Sequence, residues 1–245
     1  MTPPRGSVAR PQRVQTRPSR KGAGVPAADR TSWGVLAALV ALSLIPVIAG
    51  SLRVAEIAGG PQVLPVNPRI DAVPAPVVVH IIAAAVFALV GSLQFSARLR
   101  RSRPTWHRRS GRVLVGAGML VAVSGLWMTV FYPGAPGGDL LWAVRLVAGT
   151  SMAACIVLGV TAIRRHDIGA HRAWMIRAYA LAVAAGTQTF TQGVGEALFG
   201  TGELSTAVSI SSGWVINAAV AEWVIRRAGA GRRRISAARI LAVSR

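Results

Sequence analysis

Residues 76–97 read PVVVHIIAAAVFALVGSLQFSA, and residues 98–112 read RLRRSRPTWHRRSGR. The first stretch runs 22 positions without Asp, Glu, Lys or Arg. A bilayer core is about 30 Å thick, so a helix needs roughly 20 mostly apolar residues to cross it. The second stretch packs seven arginines into 15 positions. An apolar run of spanning length that stops in a block of arginine reads as a membrane helix ending on the cytoplasmic side.

Working outward, five more stretches have the same character: 33–52, 113–132, 140–163, 173–197 and 205–225. None shows the alternation of a barrel strand. The expectation is an all-α integral membrane protein, a six-transmembrane-helix bundle spanning 33–225. Of the 28 Lys and Arg residues, 24 fall before the first span, between spans two and three, between spans four and five, or after span six. The opposite loops hold only Arg53 and Arg69, with Glu56, Asp71, Asp139 and Glu203, while Arg145 and Arg177 lie within spans. By the positive-inside rule both termini are cytoplasmic, and the cell (plasma) membrane is the expected location. Residues 1–31 read as a disordered basic cytoplasmic tail and 226–245 as a second basic cytoplasmic tail. The first apolar run is longer than the core of a cleaved signal peptide.

Composition agrees. The chain of 245 residues carries a formal charge of +20, yet 52% of it is hydrophobic and its mean hydropathy is +0.48. Charge and apolar residues are segregated, which speaks for arginines that meet anionic headgroups and against a nucleic-acid partner. The single cysteine, Cys155, forbids an intrachain disulfide and a Cys-based zinc site. No phosphate-binding glycine loop, nucleophile elbow or zinc-protease His-Glu-x-x-His occurs.

Small residues that let helices approach include Gly111, Gly118 and Gly125 in span three and Gly149 with Ala153 in span four. Polar residues inside spans are costly, so they mark either helix contacts or a functional path. Gln188, Gln192 and Glu196 fall with Arg177 on one arc of span five. Arg145 and Glu196 both lie in the outer half and form a candidate ion pair. His80 and Gln94 stand at opposite ends of one face of span two.

His107 and His171 stand at the cytoplasmic entrances of spans three and five, each followed by an arginine, Arg108 and Arg172. Imidazole is a good ligand for iron and other metals near neutral pH. Two helices starting at one depth bring two such rings to one site, with Arg108, Arg172 and Arg177 to meet propionates, quinone oxygens or phosphate, and Glu222 nearby. One reading is a cytoplasmic-side site for one b-type haem or a quinone, with His107 and His171 as axial ligands and a redox partner implied. The structural reading is that these groups bind headgroups and cap helix entrances. A small-solute transporter using His80, Arg145, Gln192 and Glu196 is the alternative, as is an accessory protein without a substrate.

These residues also carry a resemblance. His80-Ile81-Ile82-Ala83 with Gly91-Ser92-Leu93-Gln94-Phe95, His107-Arg108-x-x-Gly111-Arg112, His171-Arg172-Ala173-Trp174-Met175-Ile176-Arg177-Ala178-Tyr179-Ala180 with Gly186-Thr187-Gln188, and Gly213-Trp214-Val215-Ile216-Asn217 leading to Ala221-Glu222-Trp223 form one set. The set resembles the bacterial predicted membrane proteins catalogued as domain of unknown function 2306, over about residues 75–227. The resemblance implies a membrane protein and no particular activity. In architecture alone the chain is also similar to six-helix b-type cytochromes. Span four has no histidine, which leaves at most one haem of that style.

Overall fold

A computed structural model describes the backbone of residues 27–243 and the side chains of residues 33–230. Among the described residues the chain is all helical: α1 Ala27–Ile57, α2 Ala75–Gln94, α3 Ala97–Ser102, α4 Pro104–Phe131, α5 Gly138–Arg164, α6 Ile168–Ala182, α7 Ala184–Phe199 and α8 Glu203–Val243. Five of these helices, α1, α2, α4, α5 and α8, are long and apolar enough to cross a bilayer. The tail expected over 1–31 lies outside the described residues up to position 26; from Ala27 the backbone is already helical.

Local chemistry sets the helix ends. α2 and α4 open with Pro76 and Pro104 in their first turns, where a missing N–H costs nothing. Ser96 caps α3 by accepting from the Leu99 amide at 3.3 Å. α5 starts at Gly138 after the Gly137 cap, and both take positive φ values, 53° and 90°, that a side chain would resist. Its other end closes on His166, at φ 61°. There the Asp167 amide donates to Ala162 O at 2.9 Å and the His166 amide to Ile163 O at 3.1 Å, the paired bonds of a left-handed helix stop. Asp167 then caps α6 by accepting from the Ala170 amide at 2.8 Å. His166 is thus a turn residue.

The segment 173–197, read from sequence as one span, is corrected here to two helices that meet at Val183. The Gly186 amide reaches back only to Val183 O, a tight three-residue closure, at 3.1 Å. On α8, Asn217 Nδ2 donates to Ala180 O at 2.9 Å, and Asn217 Oδ1 accepts from Thr187 Oγ1 at 2.8 Å. A neighbouring helix thereby occupies backbone and side-chain groups around the break, the condition under which a broken helix survives in lipid. Gly186 itself lies against the backbone of Leu42, so α1 and α7 touch main chain to main chain.

The core gathers residues of α2, α4, α5 and α6, among them Phe87, Val121, Ile156 and Tyr179. Tyr179 lies over Gly91, where a Cβ would fall 2.7 Å from its ring, and its hydroxyl donates to Ala88 O at 2.8 Å. Of the expected small-residue stripe, Gly118 admits Phe87 and Ile156, Gly125 admits His80, and Gly111 faces open space. Gly149 receives Leu126. Cys155 is buried in this core. Large apolar residues such as Val113, Leu120, Val123 and Val130 of α4 point outward, the surface a lipid-facing helix presents.

Two ends are distinct. At one, Arg69 Nε donates to Pro133 O at 2.7 Å, Tyr132 Oη to Val73 O at 2.6 Å, and Glu203 lies over Gly138, so the three connections there are pinned together. The connector before α2 is held by Glu56, which accepts from the Val63 and Leu64 amides and pairs with Arg53 at 2.8 Å. The other end carries α3 and the arginine-rich turns.

Candidate functional site

At the arginine-rich end, Pro104 starts α4 and places His107 in its first turn, while the Asp167 cap starts α6 and places His171 in its first turn. His107 feels the positive charge of Arg100, His171 and Arg108. His171 Nδ1 lies 2.8 Å from Gly159 O on α5. A carbonyl only accepts, so Nδ1 is the protonated nitrogen. In the neutral ring Nε2 then keeps its lone pair, the arrangement found in histidines that ligate metals or accept protons. Gly159 makes the approach possible: a Cβ there would meet Trp174 Cβ at 3.4 Å and overlap Met175.

Arg177 and Glu222 do not join this pair. Arg177 is six residues beyond His171 on α6 and about 120° around it. It donates to Glu222 of α8 through Nε to Oε1 at 2.5 Å and Nη2 to Oε2 at 3.1 Å, a bidentate pair. Trp174 stacks under the guanidinium, 4.6 Å from ring centroid to carbon. Arg108 and Arg172 are exposed beside the histidines. Among the described residues no three His, Cys, Asp or Glu side chains gather into a metal cage.

Gln94 donates to Ser110 Oγ of α4 at 2.7 Å, which fastens α2 to the start of α4. At the other end of α2, His80 Nδ1 lies 3.0 Å from Ser124 Oγ. The Ser124 hydroxyl already donates to Leu120 O, so it accepts from His80, whose Nε2 also keeps its lone pair.

The expected Arg145–Glu196 pair does not form. Glu196 accepts from Gln192 within α7 at 2.7 Å, and the charge acting on Arg145 is that of Arg69, of like sign. The reason is packing order: α5 lies against α4, α6 and α8, whereas α7 lies against α8 and α1. The break at Val183 also interrupts the arc that was to carry Arg177, Gln188, Gln192 and Glu196 down one helix. Gln188 Nε2 is buried without a hydrogen-bond partner, as are Ser205 Oγ and Ser211 Oγ. Sequence reasoning did not single out Ser110, Ser124, Thr187 or Asn217 as partners; each is a small polar residue within a span, and only the facing helix reveals its role.

A family model described as a predicted membrane protein (DUF2306) matches residues 77–225, more than half of the chain. No curated protein and no solved structure matches the chain.

Proposed function

We propose, for a chain that belongs to the DUF2306 family of predicted membrane proteins, an electron-transfer role built on the His107/His171 pair. The observation that carries this reading is the Gly159 carbonyl fixing His171 Nδ1 and so leaving Nε2 to meet a ligand, at the end of the bundle where α4 also places His107 in its first turn. One b-type haem would be held by His107 and His171, with Arg108 and Arg172 to meet its carboxylates. A quinone suits the same residues equally in chemistry, since a bare imidazole nitrogen accepts a quinol proton. Either group would supply electron exchange; the chain contributes the ligating or proton-accepting nitrogens, their orientation and the surrounding positive charge. The protein lies in the plasma membrane, crosses it six times with α6 and α7 together making one passage, and keeps both termini and the site on the cytoplasmic side. The anionic headgroups of that membrane face its arginines.

An absorption spectrum of detergent-purified protein from haem-replete cells tests the cofactor. A Soret band with sharp reduced-state bands, lost in His107→Ala and His171→Ala, is the result for haem. Quinone co-extracted from the wild type and depleted in the same variants is the result for quinone. Folded protein lacking both overturns the redox reading. Reporter fusions at Arg245 and in the 133–139 turn test the orientation, and an exterior C-terminal signal refutes it.

A second reading, passage of a small polar solute, draws support from the helix break and from Gln188 a few residues beyond it, whose Nε2 is buried and unpaired and which lies against Gly213 of α8. Solute uptake by vesicles containing the protein, abolished by Gln188→Leu, distinguishes it.

A further inference from the structure

α8 leaves the bundle at the arginine-rich end. From Glu203 to Trp223 the helix rises about 30 Å at 1.5 Å per residue, the thickness of a hydrocarbon core. Trp223 thus sits at interface depth, where amphipathic rings of membrane helices collect, and it is exposed. Arg226 and Arg227 follow about 5 Å farther along, at the depth of lipid phosphates.

A shallow, open groove of about 650 Å³ runs here along one face of α8 alone, lined by Ala219, Glu222, Trp223, Arg226, Arg227 and Ala230. At 100° per residue these six fall within about 140° of one face of α8. Ala219 and Trp223 make the end nearer the membrane centre apolar, and the two arginines make the other end cationic. Glu222, at the edge, is already held by two hydrogen bonds from Arg177. Arg227 stacks on Trp223 with its guanidinium carbon 5.0 Å from the ring centroid, which holds it over the groove. Neither Arg226 nor Arg227 forms an ion pair among the described residues. Three guanidiniums therefore meet one carboxylate, and two positive charges are left beside an apolar trough that faces lipid.

We propose that this groove binds an acidic glycerophospholipid, with its phosphate between Arg226 and Arg227 and an acyl chain along Ala219 and Trp223. Charge selects the class: a zwitterionic lipid brings no net charge to match the surplus, whereas a lipid with a net negative headgroup does. Depth selects a lipid over a soluble anion, because the groove joins the phosphate level to the hydrocarbon level. The site goes beyond the redox reading and does not depend on it, since none of its residues touches the His107/His171 pair.

The test uses full-length protein in phosphatidylcholine vesicles with a minor fraction of phosphatidylglycerol, the bromine quencher being carried on one lipid or the other. The signal of Trp223 is the difference between wild type and Trp223→Phe. Brominated phosphatidylglycerol quenches this component more strongly than brominated phosphatidylcholine at equal mole fraction. Each arginine near the surface favours an acidic lipid roughly five-fold, so the preference reaches up to about thirty-fold. Arg226→Gln with Arg227→Gln brings the two lipids to equal quenching while circular dichroism stays unchanged. Native mass spectrometry of the wild type gives an independent reading, a retained phosphatidylglycerol adduct that the double variant loses. Equal quenching by both lipids in the wild type overturns the site. Loss of the preference on adding inorganic phosphate at constant ionic strength assigns the arginines to a soluble anion and overturns the lipid assignment.

Discussion

Asn217→Leu measures what holds the α6–α7 break together. In the native protein Asn217 donates to Ala180 O at 2.9 Å and accepts from Thr187 Oγ1 at 2.8 Å. Leucine is close in size, so the change removes both bonds with little change of volume, leaving a carbonyl and a hydroxyl without these partners. Side-chain hydrogen bonds between membrane helices average about 0.6 kcal/mol and reach about 1.7 kcal/mol. Two such bonds give about 1–3 kcal/mol, with the upper part reached if the freed groups find no substitute. Thr187→Val removes one bond alone and costs about 0.6–1.7 kcal/mol. Because the two residues share that bond, the double variant costs less than the sum of the singles by about the same amount. The assay is reversible unfolding in mixed micelles of mild and denaturing detergent, with Val220→Leu on the exposed face of α8 as a control expected to be neutral. An Asn217→Leu protein within about 0.3 kcal/mol of the control, with additive behaviour toward Thr187→Val, refutes the reasoning; the break would then be held by α1 and by local geometry alone.

Gly186→Ala forces a Cβ into the Leu42 main chain and costs about 1–3 kcal/mol, whereas Gly193→Ala, with open space around it, is neutral or stabilising by up to about 1 kcal/mol; the same unfolding assay compares them. Arg177→Met and Glu222→Gln couple by about 1 kcal/mol in a double-mutant cycle, a modest figure because both side chains are partly exposed. Arg145→Leu and Glu196→Leu, by contrast, are additive, and any coupling above about 0.5 kcal/mol contradicts the packing order described above.

Helix length and the arginine blocks were readable from composition alone, because burial in lipid demands a long apolar run whatever its neighbours are. The placement of His107 and His171 at one end was readable from the arginine blocks beside them, but the helix starts were not: α4 and α6 begin at Pro104 and after the Asp167 cap, several residues before the apolar runs do. Neighbour choice was not readable. Arg145 and Glu196 have matching depth and opposite charge, but depth says nothing about which helix lies alongside. Ala182-Val183-Ala184 suits an unbroken helix, and the groups that contact the break, Leu42 against Gly186 and Asn217 at Ala180 and Thr187, are distant in sequence. His166, in the turn between α5 and α6, serves through its backbone as a helix stop, a role set by its φ of 61°.

The contact between Leu42 and Gly186 has a consequence for the order of assembly. Of the described helices α1 leaves the ribosome before the others and finds α2 soon after, but its other partner, α7, emerges only when most of the bundle has been made. Until then the face of α1 that meets Gly186 has only lipid against it, and the earliest and nearly the latest parts of the chain must find each other across a bilayer already holding α4 and α5. Shortened nascent chains ending before α7 should therefore leave α1 open to cross-linking from lipid, and lengthening the chain past Phe199 should close that access in one step.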